Sequence, residues 1–195
     1  MAVTAEALDT RTRILDAAFR TVATYGLSRF TVDDVARTAD LSRQTVYRYF
    51  DSKDALIVAL VFREEEEFIE GVRRAHAEAA TLVDAMERAM LYCLRLAREH
   101  PLLDRLLESE PEVLLPYLTT RAGGLIARGR AVIEELAAAR TDVRPELVHR
   151  AADLATRAVI SYVLTPGDDA PEGVARETAT VLSAVLRKRR KEEPR

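Results

Sequence analysis

The stretch LSRFTVDDVARTADLSRQTVYRYFDSKDAL, Leu27 to Leu56, decides the reading of this 195-residue chain. Thr31 is a good helix N-cap, and Asp34 stands three residues on, the spacing of a capping box. Phe30 precedes the cap and Val35 falls at the fourth helical position, which makes a hydrophobic staple. Val35, Ala36 and Ala39 then face inward. Ala39-Asp40-Leu41 forms a three-residue turn, and Ser42 caps a second short helix. Only Val46 and Phe50 anchor that helix. Its other face displays Arg43, Gln44, Thr45, Tyr47, Arg48 and Tyr49, and residues 41–50 carry two Arg and no acid.

A short helix, a tight turn and a second short helix rich in hydrogen-bonding side chains is the helix-turn-helix layout. The second helix enters the DNA major groove. There Gln addresses adenine, Arg addresses guanine, and Thr contacts a thymine methyl. Tyrosine hydroxyls, and Lys53 at a helix N-terminus, suit phosphate oxygens, which position without specifying. Phe50 reads as core, in keeping with the burial habits of Phe.

Outward from this segment the chain reads as helical, with no convincing strand alternation. One helix precedes it, about 11 to 25, with Ile14, Leu15, Ala18, Phe19 and Val22 as its apolar stripe and Gly26 as its C-terminal stop. A long helix follows from Ser52 past Val72. Further helices are expected over about 81–98, 118–139, 145–164 and 172–191, with Pro101, Pro111 and Pro116 punctuating short segments. The helix over 81–98 is apolar nearly all round in its second half, the mark of a buried helix. The expectation is an all-α protein. A three-helix N-terminal DNA-binding domain, residues 1–56, joins a helical C-terminal domain, residues 57–195, through the long helix.

Composition narrows the function. Net charge is −3, but it is unevenly spread. Residues 1–60 hold eight basic and eight acidic side chains, residues 61–186 hold 15 and 22, and residues 187–195 hold six and two. An acidic body cannot approach DNA over a broad face, so contact must come from a small, locally basic surface. No leader of secretory type and no membrane-spanning run is legible, and Cys93 is alone, which together point to a cytoplasmic protein without intrachain disulfides. His76, His100 and His149 are scattered, with no metal-ligand spacing, and Cys93 reads as an inert core thiol. The glycines at 124 and 129 mimic phosphate-loop spacing but lack the Lys and the Ser/Thr. No carboxylate pair stands out as acid and base. An enzyme is not expected, nor a metal or cofactor.

Residues 40–56, with Tyr-x-Tyr-Phe followed by Ser-Lys and an apolar residue, resemble the N-terminal domain of TetR-family transcriptional regulators. The motif-level resemblance covers roughly residues 11–60. It implies an all-α homodimer that usually represses, releasing DNA when a small molecule enters the C-terminal body. Carried onto matching positions, Tyr47, Tyr49, Lys53 and Thr31 look like phosphate contacts, and Arg43, Gln44 and Thr45 like base readers. Ser42 and Arg48 complete the expected DNA-binding set. Asp40 departs from the family, which usually has Gly in the turn; Asp tolerates the left-handed conformation better than most residues, so the turn should survive. The same fold could also serve a ligand-independent or architectural DNA-binding regulator.

In the C-terminal body the last two helices carry clean stripes. Two apolar faces on one helix need two partners, so one can serve the monomer core and the other a second subunit. The expected dimer surface comprises Leu147, Ala151, Leu154, Ala155, Ala158, Val159, Tyr162, Val174, Thr178, Val181, Leu182 and Val185. A palindromic operator wants such a two-fold protein. A small apolar or amphipathic effector is expected among Met86, Met90, Tyr92, Cys93, Leu96, Leu107, Tyr117, Leu118, Arg121, Ile126 and Tyr162, an apolar set with few polar groups. The runs Glu64–Glu67 and Arg187–Arg195 read as solvated surface.

Overall fold

A computed structural model describes residues 5–140 and 143–186. Among them are ten helices and no β-strand: α1 (Ala5–Tyr25), α2 (Val32–Thr38), α3 (Arg43–Tyr49), α4 (Lys53–Ala77), α5 (Leu82–Glu99), α6 (Pro101–Ser109), α7 (Pro111–Leu118), α8 (Gly123–Ala138), α9 (Pro145–Leu164) and α10 (Pro171–Leu186). The fold class expected from the sequence is the one observed. The basic segment beginning at Arg187 lies outside the described residues.

Two compact units divide the chain. The first takes the residues up to Glu67 together with His100–Leu115, and the second takes Phe68–Glu99 and the residues from Pro116 onward. The unit around the helix-turn-helix is thus wider than residues 1–56. The reason is apolar: Leu102 and Leu106 of α6 join Ile14, Leu15, Ala18, Val22, Phe30, Val35, Val46, Phe50, Leu56 and Leu60 in one buried cluster, with Leu114 packed against it. Each large aliphatic or aromatic side chain buried there contributes roughly 1.5–3 kcal/mol. Phe19 is only half-buried and meets the His100 ring edge-on, with centroids 5.6 Å apart.

His100 also begins α6, its Nδ1 accepting the Leu103 N–H at 3.3 Å. Its Nε2 lies 3.3 Å from Glu64 Oε2, and Arg63 donates to Glu64 Oε1 through Nε at 3.0 Å and Nη2 at 2.7 Å. Burial pushes the Glu64 carboxyl up, but the hydrogen bonds from His100 and Arg63 outweigh it and leave the group below its ordinary value. Glu64 is therefore not part of a solvated acidic face, as its place in a run of four glutamates suggested. It faces the N-terminus of α6.

In the second unit, α10 packs on α5 and α9, and α8 lies along α9. Two apolar clusters result: Leu82, Ala137, Val143, Val148, Ala151 and Leu186 in one, Met90, Leu94, Val174 and Ala175 in the other. The close approach of α8 to α9 depends on Gly129, where a Cβ would collide with the Thr156 side chain. The helix expected over 118–139 is interrupted. Pro116 cannot donate in the ladder, and after Leu118 the chain turns, with the Arg121 N–H donating to Pro116 O at 2.7 Å, before α8 begins at Gly123. The second half of α5 is also less enclosed than its composition suggests: Cys93 and Leu94 are buried, Leu91, Tyr92, Leu96 and Ala97 half-buried, and Arg95 exposed.

Candidate nucleic-acid interface

The interface is assembled by caps. Thr31 accepts the Asp34 N–H at 3.2 Å while Asp34 Oδ2 accepts the Thr31 N–H at 3.0 Å, so the capping box is closed in both directions. The Thr31 hydroxyl also donates to Asp34 Oδ2 at 2.6 Å and holds that carboxyl below its ordinary value. Phe30 and Val35, the staple, are both buried. At the other end of α2, Arg13 of α1 donates to the Ala39 carbonyl at 2.9 Å. Asp40 then turns the chain at φ 55°, the left-handed region, as its residue type allows. Ser42 accepts the Thr45 N–H at 3.0 Å and starts α3. A cap of this kind stabilises a helix end by about 1 kcal/mol.

Val46 and Phe50 bury one side of α3, and the rest of the helix is left for other work. Arg43, Gln44 and Arg48 are exposed, while Thr45, Tyr47 and Tyr49 are half-buried, both tyrosines packing against the core cluster. The tyrosines thus serve the core and the surface together, as amphipathic rings do. Arg43 lies over the Tyr47 ring, 5.4 Å from its centroid, and Arg48 over Tyr49 at 5.6 Å. Arg43 Nη1 also pairs with Asp33 Oδ2 at 3.0 Å. Both members of that pair are well exposed, so water screens it and it is readily exchanged for another acceptor. Thr45 shares a 2.9 Å hydrogen bond with the Ser42 hydroxyl.

Lys53, the first residue of α4, reaches back to the turn between α1 and α2. Its Nζ lies 3.4 Å from the Ser28 carbonyl and 4.4 Å from the centre of the Phe30 ring. Lys53 and Thr31 are thereby gathered around one turn. The sequence did not reveal three partners of this surface: Arg13, Asp33 as the mate of Arg43, and Glu110, whose carboxylate accepts amides of that turn. Of that turn the sequence showed only Gly26 as the α1 stop.

The other expected site residues are distributed as follows. Of the dimer set, Leu154, Tyr162, Val181 and Val185 are exposed, Leu147, Ala158, Val159, Thr178 and Leu182 are half-buried, and Ala151, Ala155 and Val174 are buried within their own chain. Of the effector set, Met90, Cys93 and Ile126 are buried, Met86, Tyr92, Leu96, Leu107 and Leu118 half-buried, and Tyr117, Arg121 and Tyr162 exposed. Met86 and Met90 belong to different clusters, the Tyr92 ring lies against Gly71, and Leu107 counts with the first unit. Burial pushes the Cys93 thiol up to about 12, so it stays protonated and unreactive at neutral pH. Among the described residues, no helix is long and apolar enough to cross a membrane.

A capped α2, a left-handed turn and an α3 that buries one side and offers Arg, Gln and Thr on the other define a helix-turn-helix regulator. Known proteins agree. Residues 14–60 match the family described as bacterial regulatory proteins, tetR family, and residues 82–184 match the bacterial tetracyclin repressor C-terminal domain. The chain belongs to the TetR family of transcriptional regulators. It is 33% identical over 166 residues to an uncharacterised HTH-type transcriptional regulator of Mycobacterium tuberculosis H37Rv, covering 80% of this chain and 76% of that one. AlkX of the same organism is 29% identical over 180 residues, covering 89% and 83%. The crystal structure of the repressor AlkX from Dietzia sp., implicated in biodegradation of n-alkanes, superposes with a TM-score of 0.67 at 26% identity, covering 89% of this chain and 93% of that one.

Proposed function

We propose that this regulator is a cytoplasmic repressor that binds a palindromic operator as a dimer and lets go of it when a small apolar or amphipathic molecule binds the C-terminal body. The observation that carries the DNA-binding part is α3. Its inward side chains, Val46 and Phe50, are buried, while Arg43, Gln44 and Arg48 are left exposed around the Ser42 cap. In this reading Arg43, Gln44 and Thr45 address base edges, and Thr31, Tyr47, Tyr49 and Lys53 hold phosphates. The dimer forms through α9 and α10, where Leu154, Val181 and Val185 stand in solvent in the single chain. An apolar effector accords with the link between the Dietzia relative and n-alkanes.

Binding-site selection from random-sequence duplex DNA, followed by titration of the selected duplex and a scrambled control over a range of salt, tests this function. A specific-to-scrambled affinity ratio of roughly 10³ or more is expected. Equal, salt-sensitive binding to both duplexes would instead favour an architectural role. Release of the selected duplex by medium-chain alkanes or fatty acids, together with a rise in melting temperature, would identify the effector class. DNA binding that none of these compounds alters would favour ligand-independent regulation.

A further inference from the structure

The turn between α1 and α2 is closed by the Phe30 N–H donating to Gly26 O at 3.3 Å, but two of its amides find no backbone acceptor. The Gly26 N–H still closes α1 on Val22 O at 2.8 Å, but Leu27 and Ser28 follow it out of the helix. Their amides donate to a side chain more than eighty residues away: Leu27 N–H to Glu110 Oε2 at 2.9 Å, and Ser28 N–H to Oε1 at 3.1 Å and Oε2 at 3.3 Å. Glu110 is 6% exposed. The other buried polar side chains among the described residues, Thr21, Thr156 and Ser183, are neutral hydroxyls that donate to carbonyls of their own helices. Glu110 differs from them in charge and in reach.

Burying a carboxylate is costly unless hydrogen bonds replace its water, and the amides of Leu27 and Ser28 supply them. The stem of Glu110 is fixed as well. Its N–H closes α6 on Leu106 O at 3.0 Å, and its carbonyl accepts the Val113 N–H of α7 at 2.9 Å. On the other side of the turn, the Ser28 carbonyl accepts from Lys53 Nζ. Gly26, at φ 83°, leaves the space into which the carboxylate fits.

We propose that Glu110 is a positioning residue for DNA binding. By clamping the amides of Leu27 and Ser28 it fixes the Ser28 carbonyl, and through that carbonyl it aims the Lys53 ammonium at the phosphate backbone. This rests on the reading of Lys53 as a phosphate contact. It also ties the DNA-binding surface to the junction of α6 and α7, far from it in sequence.

The test measures affinity for the selected duplex across a salt series for the full chain, Glu110→Gln, Lys53→Ala and the double variant, with thermal melts alongside. Gln keeps the size but loses the charge and turns an amide donor toward the turn. Glu110→Gln is expected to weaken binding roughly three- to tenfold and to shallow the salt dependence by about one phosphate contact per subunit. It should add little to Lys53→Ala. A Glu110→Gln protein that melts lower but binds with wild-type affinity and salt slope, while Lys53→Ala weakens binding, would overturn the proposal and leave the Lys53 reading intact. A Lys53→Ala protein with unchanged affinity would remove the Lys53 reading, and the proposal with it. If Glu110→Gln does not fold, hydrogen exchange in the wild-type protein decides: protected Leu27 and Ser28 amides support the clamp, and exchange at open-loop rates overturns it.

Discussion

The helix-turn-helix and the α9–α10 pair both consist of short apolar stripes on helices, yet they finish their business differently. In the first, the ends of α2 and the start of α3 are closed by side chains, and the inward residues reach almost complete burial within one chain. In the second, the Arg144 side chain does not cap α9 but donates to the Val185 carbonyl of α10, and Leu154, Val181 and Val185 are 59%, 66% and 48% exposed. The first region closes its helix ends locally and buries its apolar area within one chain, with help from α6 and Glu110. The second leaves apolar area open in the single chain, which the proposed dimer would cover.

Phe30→Ala should break the first region outright. Phe30 is 1% exposed in the centre of the core cluster, and its truncation is expected to cost about 3–5 kcal/mol, read as a fall in the denaturant midpoint. Val181→Arg should leave the fold of the single chain untouched. Yet as a charge in the centre of the proposed dimer seam it should weaken association by about 2 kcal/mol or more, seen by analytical ultracentrifugation. A Val181→Arg protein that stays dimeric at micromolar concentration would move the interface elsewhere.

Thr31→Ala removes the capping box and should cost about 1 kcal/mol of stability, with a further loss of operator affinity if Thr31 holds a phosphate. Equal losses of stability and none of affinity would make Thr31 a cap only. Asp40→Gly should act in the opposite sense and least. It relieves the left-handed backbone and is expected to raise stability by about 0.5 kcal/mol, measured as a small increase in melting temperature. It also removes an acid beside the DNA-facing turn, so operator affinity should rise slightly.

The caps and the staple of 27–56 were legible because each is set by neighbours within five positions. Thr31 with Asp34, Phe30 with Val35, and Ser42 with Thr45 are all local pairs; the structure closes both caps and buries Phe30 and Val35 in one cluster. The α9 boundaries were legible for the same reason, with Pro145 opening the helix where the sequence placed it. The break between α7 and α8 was less so. The expected helix ran from Leu118 past the drop in propensity at Gly123 and Gly124, while a turn anchored on the Pro116 carbonyl separates the two helices.

By itself, then, the sequence determined the helical class, the helix-turn-helix and the side chains that α3 presents, since capping, periodicity and turn chemistry act over a few residues. Only tertiary structure decided that residues 100–115 pack with the DNA-binding helices, that Glu64 sits beside His100, that Asp33 holds Arg43, and that Glu110 receives the amides of the α1–α2 turn. Each of these joins groups ten to more than eighty positions apart. Nothing in local spacing selects one such partner over another. Their choice is made when apolar burial brings the helices together and each buried donor or charge must find a mate where it lands.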